Sequence, residues 1–205
     1  MRKKILAAAL AAAAVAMVAP SMASATSIPD LPSGVHQAYL ADANGDPENG
    51  NVTITGPLTL NGAATISCTN NDFDVDYFDD GTTAVNSFTA SGCAVTGFPS
   101  CPVTVTPTNL PWGDRFGYDT SSSTYKDYVN VSIDVTLGAP APACPTAGTI
   151  PETGILSPTI SVSGMTLSAV FSGASSGSLS GPLGSANVSG TVTGTLPTST
   201  TQLIF

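Results

Sequence analysis

Residues 127–137, DYVNVSIDVTL, decide the fold class. Polar and apolar side chains alternate along them with a period close to two, the pattern of a strand that buries one face, and no 3.6-residue period is present. We read Tyr128, Val131, Ile133, Val135 and Leu137 as the apolar side. That reading needs a bulge near Asn130 to bring Tyr128 into line with the others.

The same texture extends in both directions. Shorter alternating runs at 35–40, 51–55, 58–60, 63–68, 72–78, 84–90 and 102–106 are bounded by turn signals such as Gly56-Pro57 and Asp80-Gly81. Thr, Ser, Val, Gly and Pro dominate, and they are poor helix formers. Residues 138–158 are rich in Pro and Gly and read as a long connection. Residues 159–205 are uncharged, rich in Ser, Thr and Gly, and read as a β-meander. The expected fold is all-β: one antiparallel β-sandwich or barrel-like domain over 26–205.

Residues 1–25 carry the marks of a signal peptide. Arg2, Lys3 and Lys4 precede an Ala-rich apolar run, and Ala23-Ser24-Ala25 forms a small-x-small cleavage site. Export suits four cysteines, which we expect in two disulfides, Cys68–Cys93 and Cys101–Cys144, with Cys93–Cys101 as a rival pairing. Cleavage after Ala25 leaves Arg115 and Lys126 as the basic residues against fourteen acids, a net charge of −12. Such a chain cannot neutralise phosphates, so nucleic acid and anionic membrane surfaces are excluded as partners. No integral membrane span is expected in the mature chain.

The distinctive chemistry gathers at 93–128. Trp112, Phe116, Tyr118 and Tyr125 lie close to Arg115, a grouping used to stack on sugars or flat apolar ligands. Two acidic stretches have the oxygen spacing of calcium sites: Asp42, Asn44 and Asp46 in a turn, and Asp72, Asp74 and Asp76 on one strand face. Pro47 stands where a calcium loop of the EF type wants Gly, so a polar turn competes with the first reading, and a solvated strand face competes with the second. Catalytic residues are not expected: His36 is the one histidine, and no nucleophile elbow or nucleotide fingerprint is present. The run Ile150-Pro-Glu-Thr-Gly154 imitates a sorting signal but lacks the apolar span and basic tail that follow a real one.

Cys101 to Trp112, CPVTVTPTNLPW, sets a strand beside a cysteine and then Leu-Pro-Trp. It resembles small exported β-rich proteins of high-GC bacteria, including surface proteins of the alkane-oxidation activator (PraB) type. That resemblance implies a surface or matrix role and no catalytic residues. The functional expectation is a non-enzymatic, secreted cell-surface or extracellular-matrix protein with a structural or adhesive role, partnered by surface or matrix components or by itself. The alternative is a soluble secreted module that binds a carbohydrate or apolar ligand, with calcium as the one cofactor considered. A pore protein of the outer membrane would need strands with a continuous outward apolar band, and these are too few.

Overall fold

A computed structural model describes residues 27–138, 143–144 and 147–205. The proposed signal peptide lies outside the described residues. The chain forms β1 (Val35–Gln37), β2 (Tyr39–Ala41), β3 (Gly50–Asn61), β4 (Thr65–Tyr77), β5 (Thr82–Val95), β6 (Val103–Pro107) and β7 (Trp112–Asp119). It continues with β8 (Thr124–Leu137), β9 (Gly148–Leu156), β10 (Thr159–Ser163), β11 (Thr166–Ser172), β12 (Leu179–Gly181), β13 (Gly184–Thr195) and β14 (Gln202–Ile204). One 3₁₀ turn, Gly173–Ser176, lies between β11 and β12. Among the described residues no helix is long and apolar enough to cross a membrane.

The antiparallel pairings run β3–β4–β5–β7–β8–β10–β11–β13 and return from β13 to β3, so the sheet closes on itself. Three staves of this barrel are bent strands. β6 and β7 lie end to end along one side of β8, and β9 and β10 along its other side. β11 and β12 lie end to end along β13. Counted this way, the barrel has eight staves in up-and-down order, the number at which side chains just fill the interior. Cys68 and Cys93 sit directly opposite each other on β4 and β5 and form one disulfide; Cys101 and Cys144 form the other. Both bonds are the expected ones, and the barrel satisfies the expected fold class.

Alternation inside and outside follows the pleat. Val129, Val131, Ile133, Val135 and Leu137 of β8 point inward, as do Leu167, Ala169 and Phe171 of β11. The outer face carries Thr53 and Thr55 of β3, Asp72, Asp74 and Asp76 of β4, and Thr191, Thr193 and Thr195 of β13. A barrel in lipid needs the reverse arrangement, apolar outside and polar within.

Several elements differ from the sequence reading. The runs at 51–55 and 58–60 are one strand, β3, with a register shift between Gly56 and Leu58. Pro57 has no N–H to give the ladder, so the strand bulges rather than ends. The Asn71 side chain donates to the Gly56 carbonyl there at 3.0 Å. The 138–158 connection contains β9, which pairs with β8 from Leu137↔Gly148 to Val129↔Leu156; long-range pairing overrides its Pro and Gly content. β8 has no bulge at Asn130, because its registers with β7 and β9 are unbroken. Tyr128 is therefore on the outer face, covered by Leu31 and Val35 against Gly117, and Asp127 faces inward.

One end of the barrel is plugged. β2 and β14 pair across it and bury Ala38, Leu40, Leu196 and Thr200. Tyr77 Oη and Thr200 Oγ1 share a hydrogen bond of 2.9 Å beneath this plug. Phe205 stacks on Tyr118 at 3.9 Å and 8°. Leu203-Ile204-Phe205 is thus a lid on the barrel.

The closing seam between β13 and β3 is tight. A Cβ on Gly56 would strike the Thr191 carbonyl, and one on Gly190 would strike that of Pro57. Gly190 also has φ +135°, outside the range of ordinary residues. Gly190→Ala should therefore lower stability by about 2 kcal/mol, read from the midpoint of chemical denaturation.

Candidate functional site

The inward faces of the staves meet around a cavity of about 90 Å³. Its wall is almost wholly apolar: Val85 and Phe88 from β5, Trp112 from β7, Val129 and Val131 from β8, and Ala169 and Phe171 from β11. The rings interlock, with Phe88 4.7 Å from Phe73 and 5.6 Å from Trp112, centroid to centroid. The Trp112 indole donates to the Thr108 carbonyl at 2.8 Å, which fixes its ring in the wall. Two polar side chains reach the cavity, Asn71 and Asp127. Asn71 is committed to the Gly56 and Cys68 carbonyls. Asp127 Oδ1 is sealed from solvent and has no hydrogen-bond partner.

Asp127, half-buried as a residue, belongs to a polar group on the inner face. Val129 lies opposite Asp114 in the β7–β8 register, so Asp127 is the diagonal neighbour of Asp114 on the inner face. Thr83 of β5 lies directly opposite Asp114. Asp114 is fully buried with both carboxyl oxygens unpartnered, and Thr83 is 2 % exposed with its Oγ1 unpartnered. Removal from water disfavours the charged forms, and each acid disfavours the other. Burial raises the Asp127 carboxyl from 3.8 to about 7. Burial first, and then the neighbouring Asp127, push Asp114 well above its ordinary range. The two acids form a coupled pair that holds protons at neutral pH.

A second pocket, about 220 Å³, lies at the opposite end, away from the β2–β14 plug. Exposed Gly62, Ala63, Leu183 and Ser185 form its rim, and Leu60 and Ile66 are shared with the wall of the inner cavity. Glu152 of β9 faces this pocket, 5 % exposed, with Oε2 unpartnered, and burial raises its carboxyl. Leu60 and Ile66 thus stand between a surface pocket and the apolar cavity that Asp127 helps to line.

The predicted ligand-binding residues do not share a surface. Trp112 and Phe116 are 1 % and 3 % exposed and sit inside the barrel, away from Arg115. Trp112 lines the cavity. Tyr118 and Tyr125 continue the inner face beyond the cavity, packed on each other at 4.9 Å and covered by Phe205. Arg115 lies on the other side of β7, where its charge helps lower the Asp80 carboxyl. Lys126 pairs with Asp119 at 3.3 Å. His36 stands at the plugged rim, 6.5 Å from the Phe205 ring.

The acidic stretches are internally satisfied. Asp42 Oδ1 accepts from the amides of Asn44 and Asp46, at 2.8 and 2.9 Å, and its Oδ2 from the Asn44 side chain, so the segment is a self-bonded turn. The Asn51 side chain donates to both Asp74 and Asp76 at 2.8 Å. Asn86 donates to Asp76, and Asn70 to Asp72. Amide donors thus separate the outer-face carboxylates. Among the described residues no cluster of three His, Cys, Asp or Glu could hold a metal ion. No family model, curated protein or solved structure matches the chain.

The pair's pH effect has a defined sign. Between about pH 4 and 7 folded Asp127 holds a proton that the unfolded chain has released, so raising pH through this window costs stability. Asp114 and Glu152 act in the same direction, whereas Asp42, Asp80 and Asp119, whose carboxyls are lowered, oppose it only as pH falls below the window. The melting temperature should fall on the order of 5 °C from pH 4 to 7, and Asp127→Asn should flatten that slope.

Proposed function

We propose that this protein is a non-enzymatic, exported binding barrel that holds a small apolar ligand in its interior. The observation that carries this reading is the apolar cavity itself, enclosed by a closed ring of strands, with Leu60 and Ile66 between it and a surface pocket. Small barrels of this size either fill their centre or hold one small ligand there. Export to the medium or cell surface is supported by the two disulfides and by the leader-like residues 1–25. A non-catalytic exported role is also what the resemblance at Cys101 to Trp112 implies.

The structural or adhesive reading rests on the uncharged, Ser-, Thr- and Gly-rich strands of residues 159–205, which would risk edge pairing if left without partners. β10, β11, β12 and β13 each have a partner on both sides, which weighs for binding over edge-to-edge assembly. Burial of Trp112 and Phe116 weighs for an apolar ligand over a carbohydrate.

Trp112, the one tryptophan, reports on this directly because it lines the cavity. Titration with 1-pentanol should shift its emission along a saturable curve. Ala169→Leu should fill the cavity and abolish saturation while the protein stays folded. A linear response equal in protein and variant would overturn the reading.

A further inference from the structure

Asp114, Asp127 and Thr83 form a cluster whose buried oxygens are unpartnered, yet it abuts a cavity that is otherwise apolar. Other charged groups are poorly placed to answer it. Arg115 and Lys126, the described cations, project from the opposite faces of β7 and β8, and Lys126 is paired with Asp119. Tyr77 is adjacent through the β4–β5 register, Tyr77↔Thr83, but its hydroxyl is engaged with Thr200. Glu152 stands opposite Ile133, six residues along β8 from Asp127, roughly 20 Å away. The cluster's neutrality must therefore come from bound protons or from a cation that enters the barrel.

A hard metal ion fits poorly, because calcium takes six or more oxygen ligands and here three side chains supply the oxygens beside a hydrocarbon wall. An ammonium group fits better. It offers N–H donors to Asp127, the acid of the cluster that lines the cavity, and its alkyl body would occupy the apolar space. A cavity of about 90 Å³ has room for roughly six to nine non-hydrogen atoms.

Building on the reading of the barrel as an apolar-ligand binder, we propose that its ligand is a small primary alkylamine. The ammonium group is held by Asp127, with Asp114 and Thr83 behind it, and the alkyl chain lies against Trp112, Phe88 and Val131. Asp127 is the recognition residue, since it is the member of the cluster that lines the cavity. Asp114 stands behind it as the neutral, protonated neighbour, which leaves Asp127 as the acid that answers the ammonium charge.

The test is calorimetric titration of the whole folded protein at pH 7.5 and fixed salt with n-pentylamine, 1-pentanol and methylamine. Pentylamine and pentanol share a shape and differ in charge; methylamine keeps the charge and lacks the apolar body. Pentylamine should bind roughly tenfold or more tightly than pentanol, and methylamine should give no measurable heat of binding. In Asp127→Asn the pentylamine-to-pentanol ratio should fall to near one. Equal binding of pentylamine and pentanol by the unsubstituted protein overturns the amine assignment and leaves the apolar-ligand reading standing. Methylamine binding as tightly as pentylamine also overturns it. No binding of pentylamine or pentanol overturns both readings. The comparison of ligands on the unsubstituted protein decides the matter even if Asp127→Asn fails to fold.

Discussion

The pairing of β13 with β3 is the contact on which the rest depends. It joins segments more than a hundred residues apart, from Gly194↔Ile54 to Asn187↔Asn61. Without it the strands would form an open sheet with two edges, and the side chains of one face would have nothing to pack against. With it, the inward faces of all the staves meet and exclude water. Glycine at 56 and 190 lets the two backbones approach at the bulge. Closure of so long a loop is entropically costly and is compensated only when the interior fills.

Closure also sets the electrostatics. The chain carries few charges for its length, and most of its acids lie on the outer face beside amide donors or in surface turns. Asp114, Asp127 and Glu152 are different, since their strands turn them inward. A buried carboxylate without a cation is expensive, and protonation is the ordinary relief. A protein that keeps such acids at one end of an apolar space retains a polar address inside a non-polar room. The plug of β2 and β14, with Phe205 on Tyr118, closes the barrel behind that address. The surface pocket lies at the other end, so the interior has a direction.

Fold class was legible in the sequence because its cause is local. Period-two alternation, turn residues and scarce helix formers act over a few positions. The disulfide pairing was legible for a related reason: cysteines flanking successive strands meet when the strands form a meander. The facing of β8 was misread through one assumption. Placing a bulge at Asn130 put Tyr128 with the apolar residues and Asp127 with the polar ones. A straight β8 reverses both. Read without a bulge, Asp127 falls in phase with Val129 and Val131, and Asp114 in phase with Trp112 and Phe116; that shared phase was the signal for an inward acid pair.

By itself, the sequence determined the all-β class, the two disulfides, and the scarcity of cations, for these follow from composition and short-range pattern. Tertiary structure alone decided that the strands close into a barrel, that Pro- and Gly-rich residues 148–156 serve as a stave, and that two acids thirteen residues apart share one buried site. The physical reason is that strand order and register are settled by contacts between distant segments. A shift of one residue in register exchanges the faces of a strand, and local pattern cannot choose between them when polar and apolar side chains are both small.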